Sequence, residues 1–445
     1  MDAEQLRLLA AKLRKRLPGD VALSHGKSLD LIAALAGLRN WPEVLAFPDR
    51  VAARDYDLDA MARLARRLAG QLGPRLTKGL ARLLDPDSLM DMLTPWELTD
   101  PGDPARREKL IVASGDSASG SLRVARIADR VERISDRLVW GPVPLEADDP
   151  VTFRAARFAV SDAHPDTSDQ PLAWERMDEG PRSYFLRDWA SNLSVFVDYE
   201  RIELWVDPDA NGQLQLLYLI DWFGRQPAQI DKLFVAQVEE RVGGMRPYEH
   251  RVRPPRIDPV NRRQVELATL AWDAFRQRDP RAWQALLAQD LDAIPNLRRT
   301  VQTMLAELPA AATGLRASQR RLLELCAEDC ATPHQVMLRI TQQRRPGVFD
   351  YWEMGRLLND LGREPCAAIC GIDDGPFDMP LHDDAERHHA YMASPLSLSA
   401  FGSALLRGKD DLFRLDPSSF WWGGTLVTRT ETWRWDAAQE GLTRN

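Results

Sequence analysis

The sequence predicts a multidomain α/β protein. It has an N-terminal helical domain, a Rossmann-like and mainly parallel α/β domain, a helical segment, and a C-terminal winged-helix-like domain. Three observations carry this reading. Apolar residues recur at helical spacing through residues 1–93. Short apolar strands then alternate with helices from Lys109 to about 250. Three short helices and a β ribbon close the chain. The expected organisation is a helical domain over 1–93, a linker over 94–108, a ligand-binding α/β domain over 109–250, a helical segment over 259–310, and a winged-helix-like domain over 311–445.

Each element has its local justification. Leu6, Leu9, Ala10, Leu13 and Leu17 form one helical stripe, with Arg7, Lys12, Arg14, Lys15 and Arg16 between them. Ser24 is placed to cap a second helix carrying Leu29, Ile32, Ala33 and Ala36. A third helix runs through Met61, Leu64, Leu68 and Leu72 and stops at Gly73-Pro74, and Leu76, Leu80, Leu83 and Leu84 continue the pattern. Pro95, Pro101, Gly102 and Pro104 among acidic residues mark the first linker. Strands are expected at Leu110–Ala113, Val131–Ile134, Ile202–Val206 and Leu233–Ala236. Helices are expected at Val151–Val160, Arg182–Asn192 and Asn211–Phe223. Arg253-Pro254-Pro255 through Pro259 reads as a second linker. Later helices are expected at Ser318–Cys326, Pro333–Gln343 and Tyr351–Leu361, with a hairpin from Thr425 to Trp435.

Composition narrows the function classes. With 445 residues, 44% apolar and 28% charged, the chain is an ordinary globular protein rather than a disordered one. Four cysteines are too few for a disulfide-stapled scaffold of this size. No apolar run approaches the roughly 18 residues of a membrane span, and Met1-Asp2-Ala3-Glu4 is a poor signal-peptide start, so a cytoplasmic protein with no membrane partner is expected. The net charge of −8 argues against coating nucleic acid, although residues 1–93 carry 15 basic and 12 acidic side chains.

The most informative local feature is Gly115-Asp116-Ser117-x-x-Gly120-Ser121 at a strand-to-helix junction. Small residues permit a sharp turn there, and the amides opening a helix favour a phosphate or carboxylate. In an open parallel sheet ligands lie beyond the carboxyl ends of the strands, where Asp207, Asp209 and Gln213 after one strand and Ser135-Asp136 after another also belong. Helix capping explains Asp116, Ser117 and Asp207-Pro208 equally well at this level.

Gly115-Asp116-Ser117 is similar to the nucleophile motif of GDS-type esterases, which makes Ser117 a candidate nucleophile. The partner motifs of that family are missing. Asp384 and His388 are one residue too far apart for Asp-x-x-His, Asp162 and His164 one too close, and no Gly-x-Asn-Asp occurs. Cys326-x3-Cys330 and Cys366-x3-Cys370 are candidate metal ligands, but zinc knuckles use two intervening residues in a glycine-bearing turn and buried cysteine is an ordinary small hydrophobe. The would-be reading helix of the last domain carries Asp350, Glu353 and Asp360, which phosphates repel, so DNA is not expected there. The aromatic groups Phe420-Trp421-Trp422 and Trp433-Arg434-Trp435 are read as packing. Arg63, Arg66, Arg67, Arg75, Lys78 and Arg82 give the N-terminal helices a basic cast that suits a solvated face or an acidic partner.

From Lys109 onward the chain resembles the uncharacterised bacterial family called domain of unknown function 1835. The matching pieces are Ile111-Val112-x-x-Gly115-Asp116-Ser117-x-x-Gly120-Ser121-Leu122, Trp140-Gly141-Pro142-Val143-Pro144, Leu204-Trp205-x-x-x-Asp209 with Gln213-Leu214, Glu307-Leu308-Pro309, Gly314-Leu315, and Gly423-Gly424 before Trp433-Arg434-Trp435-Asp436. One departure is Gly212, where that family tends to have an acid before the glutamine. Leu23-Ser24-His25-x-x-x-Leu29-Asp30-Leu31 with Arg39-Asn40-Trp41 is similar to a helical segment attached to glyoxalase-related proteins. Neither resemblance implies a known reaction or a cofactor.

The expectation is therefore an intracellular binding or regulatory protein. Its crevice at Gly115, Asp116, Ser117, Gly120, Ser121, Asp209 and Gln213 would take an anionic small molecule such as a nucleotide or sugar phosphate, and its last module would engage a protein partner. The alternatives are a serine hydrolase using Ser117 and an interaction protein without a ligand.

Overall fold

Local sequence sets the first helix before any packing is considered. In Ala3–Arg16, Asp2 accepts the Gln5 amide at 2.8 Å while the Gln5 side chain accepts the Asp2 amide, a reciprocal cap, and Arg14, Lys15 and Arg16 complement the dipole of the last turn. Its stripe of Leu6, Leu9, Ala10 and Leu13 is fully buried. Ser24 caps His25–Ile32 through the Lys27 amide as expected, and Asp57 caps Leu58–Leu72, which ends at Gly73 with φ +49°. The computed structural model describes residues 2–17, 21, 23–54, 56–73, 77, 80–81, 84–93, 107–134, 136–146, 149, 152–153, 155–157, 198–328, 331–341, 347–372, 375–415 and 419–444.

The chain forms two compact units. One comprises Met1–Arg107, Asp116–Val131 and Gly243–Pro255, and the other Glu108–Gly115, Glu132–Val242 and Arg256–Asn445. The stretch 109–250, read from sequence as one α/β domain, thus contributes to both. In the first unit, Arg63 and Arg67 do not serve as a basic display. They donate to the carbonyls of Ala34 and Leu35, and of Asp30, Leu38 and Arg39, where the second helix and its following turn leave acceptors unsatisfied. Gly115–Ala125 and Pro247–Val252 join this unit through Arg126 Nη1 to the Tyr56 carbonyl and Arg251 to Asp87 at 3.7 Å.

The second unit is built on a mainly parallel five-stranded sheet of order β2-β1-β3-β4-β5. The strands are β1 Lys109–Ser114, β2 Arg130–Ile134, β3 Arg201–Trp205, β4 Leu233–Gln237 and β5 Arg256–Pro259. β1 runs parallel to β3 with Val112 opposite Leu204, and β3 parallel to β4 with Leu204 opposite Val235. Near-continuous apolar runs make these strands because both faces are covered. The buried acid within β3, Glu203, is held by Lys109, Arg201 and the Trp205 indole at 3.2, 2.7 and 2.9 Å. The helix Ala210–Gly224 is apolar around most of its circumference and buried accordingly, packing against Arg262–Phe275, where Phe153 stacks on Tyr218 and Trp272 meets both rings at a tilt.

Two expectations are corrected. The segment Arg253–Pro259 is not wholly linker: residues 256–259 form β5, antiparallel to β4, with Ile257 opposite Ala236. An edge strand tolerates the missing amide of Pro259, which disguised it in the sequence. The region Thr425–Trp435 is not one hairpin but parts of two. β8 (Phe420–Trp422) pairs with β9 (Thr425–Val427) across Gly423-Gly424, and β10 (Trp433–Asp436) pairs with β11 (Gly441–Arg444). Between the sheet and these ribbons stand Ala317–Ala327, Pro333–Thr341 and Tyr351–Leu361, close to their expected spans, then the short β6–β7 pair at Ile369–Cys370 and Ser397–Leu398. One apolar core runs from Leu110 to Trp435 without a break at 259 or 311. The expected linker over residues 94–106, the helix Arg182–Asn192, and Ser135, Arg75, Lys78, Arg82 and Cys330 lie outside the described residues.

Candidate functional site

β1 leads outward to β2 and the chain then returns to the other side of β1 as β3, so the β1/β3 carboxyl ends form the point where the strand order reverses. Ser114 ends β1, and its Oγ accepts the Asp207 amide at 3.1 Å. Gly115 follows with φ +71°, a left-handed turn that only glycine adopts without strain. The loop after β3 supplies Asp207 and Asp209. Asp209 caps Ala210–Gly224 through the Gly212 amide at 2.8 Å, and its other oxygen is 3.6 Å from the Arg241 guanidinium. Gln213 Nε2 donates to the Asp207 carbonyl at 3.1 Å. Gly212 leaves no room for a side chain, because the Asp207 backbone lies directly against it. That contact is a physical reason for glycine at this position in this chain.

Asp207 is the electrostatically distinctive member. Its Oδ1 accepts the Val242 amide at 2.8 Å, yet burial, reinforced by the nearby Asp209 charge, pushes its carboxyl up to about 6. A carboxyl poised near neutrality can both accept and donate hydrogen bonds, and groups shifted in this way cluster at functional sites. Sequence reading placed Asp209 and Gln213 here but passed over Ser114 and Arg241. A serine ending a strand is common, and Arg241 belongs to the loop after β4, which is brought here by the hydrogen bond from the Val242 amide to Asp207.

The remaining expected site residues belong to the other unit. Asp116 and Ser117 lie in the first turn of Gly115–Ala125, with Gly120 one turn on. A side chain on Gly243 would meet Ser117 Cβ at 2.6 Å, so that glycine permits close approach of its loop. Among the described residues no hydrogen bond joins Ser117 to a histidine. The serine that meets one is Ser121, with Oγ 2.9 Å from both His250 Nε2 and the Met245 carbonyl. Burial lowers His250 to about 4, which leaves it a neutral imidazole and a weak base at neutral pH.

The other candidates resolve into local roles. None of Cys326, Cys366 and Cys370 is in a disulfide, and no group of three or more metal-binding side chains occurs among the described residues. His25 is exposed at the start of its helix, while Asp30 accepts the Trp41 amide at 2.9 Å and Asn40 caps the next helix, Trp41–Ala46. Asp350 caps Tyr351–Leu361, and Glu353 is buried against Arg137 at 2.7 Å rather than displayed on a reading face. Among the described residues no helix is long and apolar enough to cross a membrane. In comparison with known proteins, the chain matches no family model and no curated protein.

Proposed function

We propose that this chain is an intracellular, cytoplasmic ligand-binding regulatory protein whose α/β part is Rossmann-like and whose site lies at the carboxyl ends of β1 and β3. The observation that carries the reading is the half-buried Asp207 carboxyl, raised to about 6, at the strand-order switch beside Asp209 and Arg241. Ligands of open α/β sheets take this position, and an acid near the strand ends receives sugar hydroxyls. The ligand is a nucleotide or sugar phosphate. Its hydroxyls donate to Asp207 and Asp209, the turn at Gly115 lets the ligand approach the backbone closely, and Arg241 balances the phosphate. The C-terminal helices and ribbons, winged-helix-like in this reading, engage a protein partner. The resemblance to domain of unknown function 1835 belongs to the same proposal.

Titration calorimetry with adenine, guanine and nicotinamide nucleotides and with hexose phosphates tests it. One class is expected to bind, and Arg241→Gln is expected to weaken that binding about tenfold or more, the loss of one charge-assisted contact. Heat from none of these compounds would sink the proposal in favour of an interaction protein without a ligand. The hydrolase reading has less support, because no histidine among the described residues bonds to Ser117. Labelling of Ser117 by a fluorophosphonate probe, lost in Ser117→Ala, would revive it.

A further inference from the structure

Away from the sheet edge, the second unit contains a cavity of about 50 Å³ that opens to solvent and whose walls are largely aromatic: Trp140, Phe349, Phe420, Trp421 and Trp422. Several short motifs singled out in the sequence without a role meet here. Trp140-Gly141 comes from the loop after β2, Glu307 from the turn after Leu297–Leu305, Arg316 from the residue following Gly314-Leu315, and the tryptophans from β8, which ends at Gly423-Gly424.

The walls are held from behind. Arg157 clamps the Trp140 loop through Asp136 at 2.6 Å and through the carbonyls of Arg137, Trp140 and Pro142, while Asn211 and Gln215 both donate to the Asp136 carbonyl. The Trp422 indole donates to the Met304 carbonyl at 2.7 Å, and the Val143 amide donates to the Gly423 carbonyl. Such a shell makes a preformed pocket rather than a loose gap.

Its polar lining is a buried pair of opposite charges that do not satisfy each other. Glu307 is 3% exposed and Arg316 6%, and their nearest approach is 4.0 Å, beyond hydrogen-bond distance. Glu307 Oε1 receives the Ser318 amide and hydroxyl at 3.0 and 2.6 Å, but among the described residues Oε2 has no hydrogen-bond partner, nor do Arg316 Nε and Nη2. The guanidinium is flanked by the Phe349 and Phe420 rings, 5.1 and 4.6 Å from their centroids. Burial drives Arg316 down and Glu307 up from their ordinary values, as expected where both charges lack full compensation. Buried polar atoms left without partners in a preformed pocket are what a ligand would complete.

We infer that this cavity binds a small aromatic carboxylate that also carries a hydrogen-bond donor. The carboxylate pairs with the Arg316 guanidinium, whose planar fork matches that geometry. The ring of the ligand lies among the aromatic walls, where offset and edge contacts are favourable. Its N–H or O–H donates to Glu307 Oε2. The site is distinct from the sheet edge proposed above and does not depend on that reading.

Titration calorimetry of the full chain with indole-3-carboxylate and 4-hydroxybenzoate, each paired with its uncharged amide, tests the inference. The carboxylates are expected to bind, and the amides about tenfold or more weaker, the worth of a charge-assisted contact. Because this comparison uses the unaltered protein, it stands even if a buried variant misfolds. Arg316→Met combined with Glu307→Gln is expected to abolish the preference for the carboxylate, and Arg241→Gln to leave it unchanged. Equal binding of acid and amide, no binding by either carboxylate, or loss of binding in Arg241→Gln alone would each overturn it.

Discussion

Replacing Asp207 by asparagine should stabilise the protein, and by an amount that depends on pH. In the fold the Asp207 carboxyl is raised from 3.8 to about 6, chiefly by burial and then by the Asp209 charge. A carboxyl whose folded pKa exceeds its unfolded value binds more protons when folded. Stability therefore falls as pH rises from about 4 through about 6 and stays lowered above that. A shift of about 2 units corresponds to about 3 kcal/mol of opposition to folding once the group is fully ionised. The Asp207→Asn change keeps an oxygen that accepts the Val242 amide and removes the charge. For a unit of roughly 300 residues, about 3 kcal/mol is worth a rise of about 5 °C in Tm. Differential scanning calorimetry between about pH 4 and about pH 8 reads it directly: the variant should gain at the alkaline end and lose its advantage toward pH 4. A gain independent of pH, or a Tm below that of wild type at the alkaline end, would refute the assignment of Asp207 as a poorly solvated charge.

Three further outcomes are expected. Gly212→Ala should destabilise the second unit by at least about 2 kcal/mol, since the new methyl is driven into the Asp207 backbone; a urea midpoint equal to wild type would deny that contact. Arg137→Met strips Glu353 of a partner at 2.7 Å in a buried pair and should cost about 3–5 kcal/mol, with the added Glu353→Gln change recovering part of the loss, measurable as a double-mutant cycle. Asp57→Ala removes the cap on Leu58–Leu72, whose side chain receives the Ala60 amide at 2.7 Å, and should lower stability by about 1 kcal/mol, visible as increased amide hydrogen exchange in that helix's first turn.

Signals contained within a few neighbouring residues were legible without coordinates. Ser24, the apolar spacing of Met61, Leu64, Leu68 and Leu72, and the runs of β1, β3 and β4 are such signals, because caps and periodicity act over one or two turns. The same locality placed Asp209 and Gln213 one turn apart at the start of a helix. Where the sequence misled, a local signal had a nonlocal competitor. Prolines hid β5 because pairing with β4 requires only some of its amides, and two glycines between Trp422 and Thr425 turned the ribbon earlier than the aromatic pattern suggested.

By itself, then, the sequence indicated the helices His25–Ile32, Leu58–Leu72 and Ala210–Gly224, the four strands β1 to β4, and the small-residue turn at Gly115. The tertiary structure alone decided that Ser121 meets His250, that Arg63 and Arg67 turn inward, and that Asp207 is half-buried beside Asp209, which raises its carboxyl to about 6. It also gathered Trp140, Glu307, Arg316 and Phe420 around one cavity. Those residues are far apart along the chain, and desolvation depends on everything packed around a group. No periodicity or spacing encodes either one.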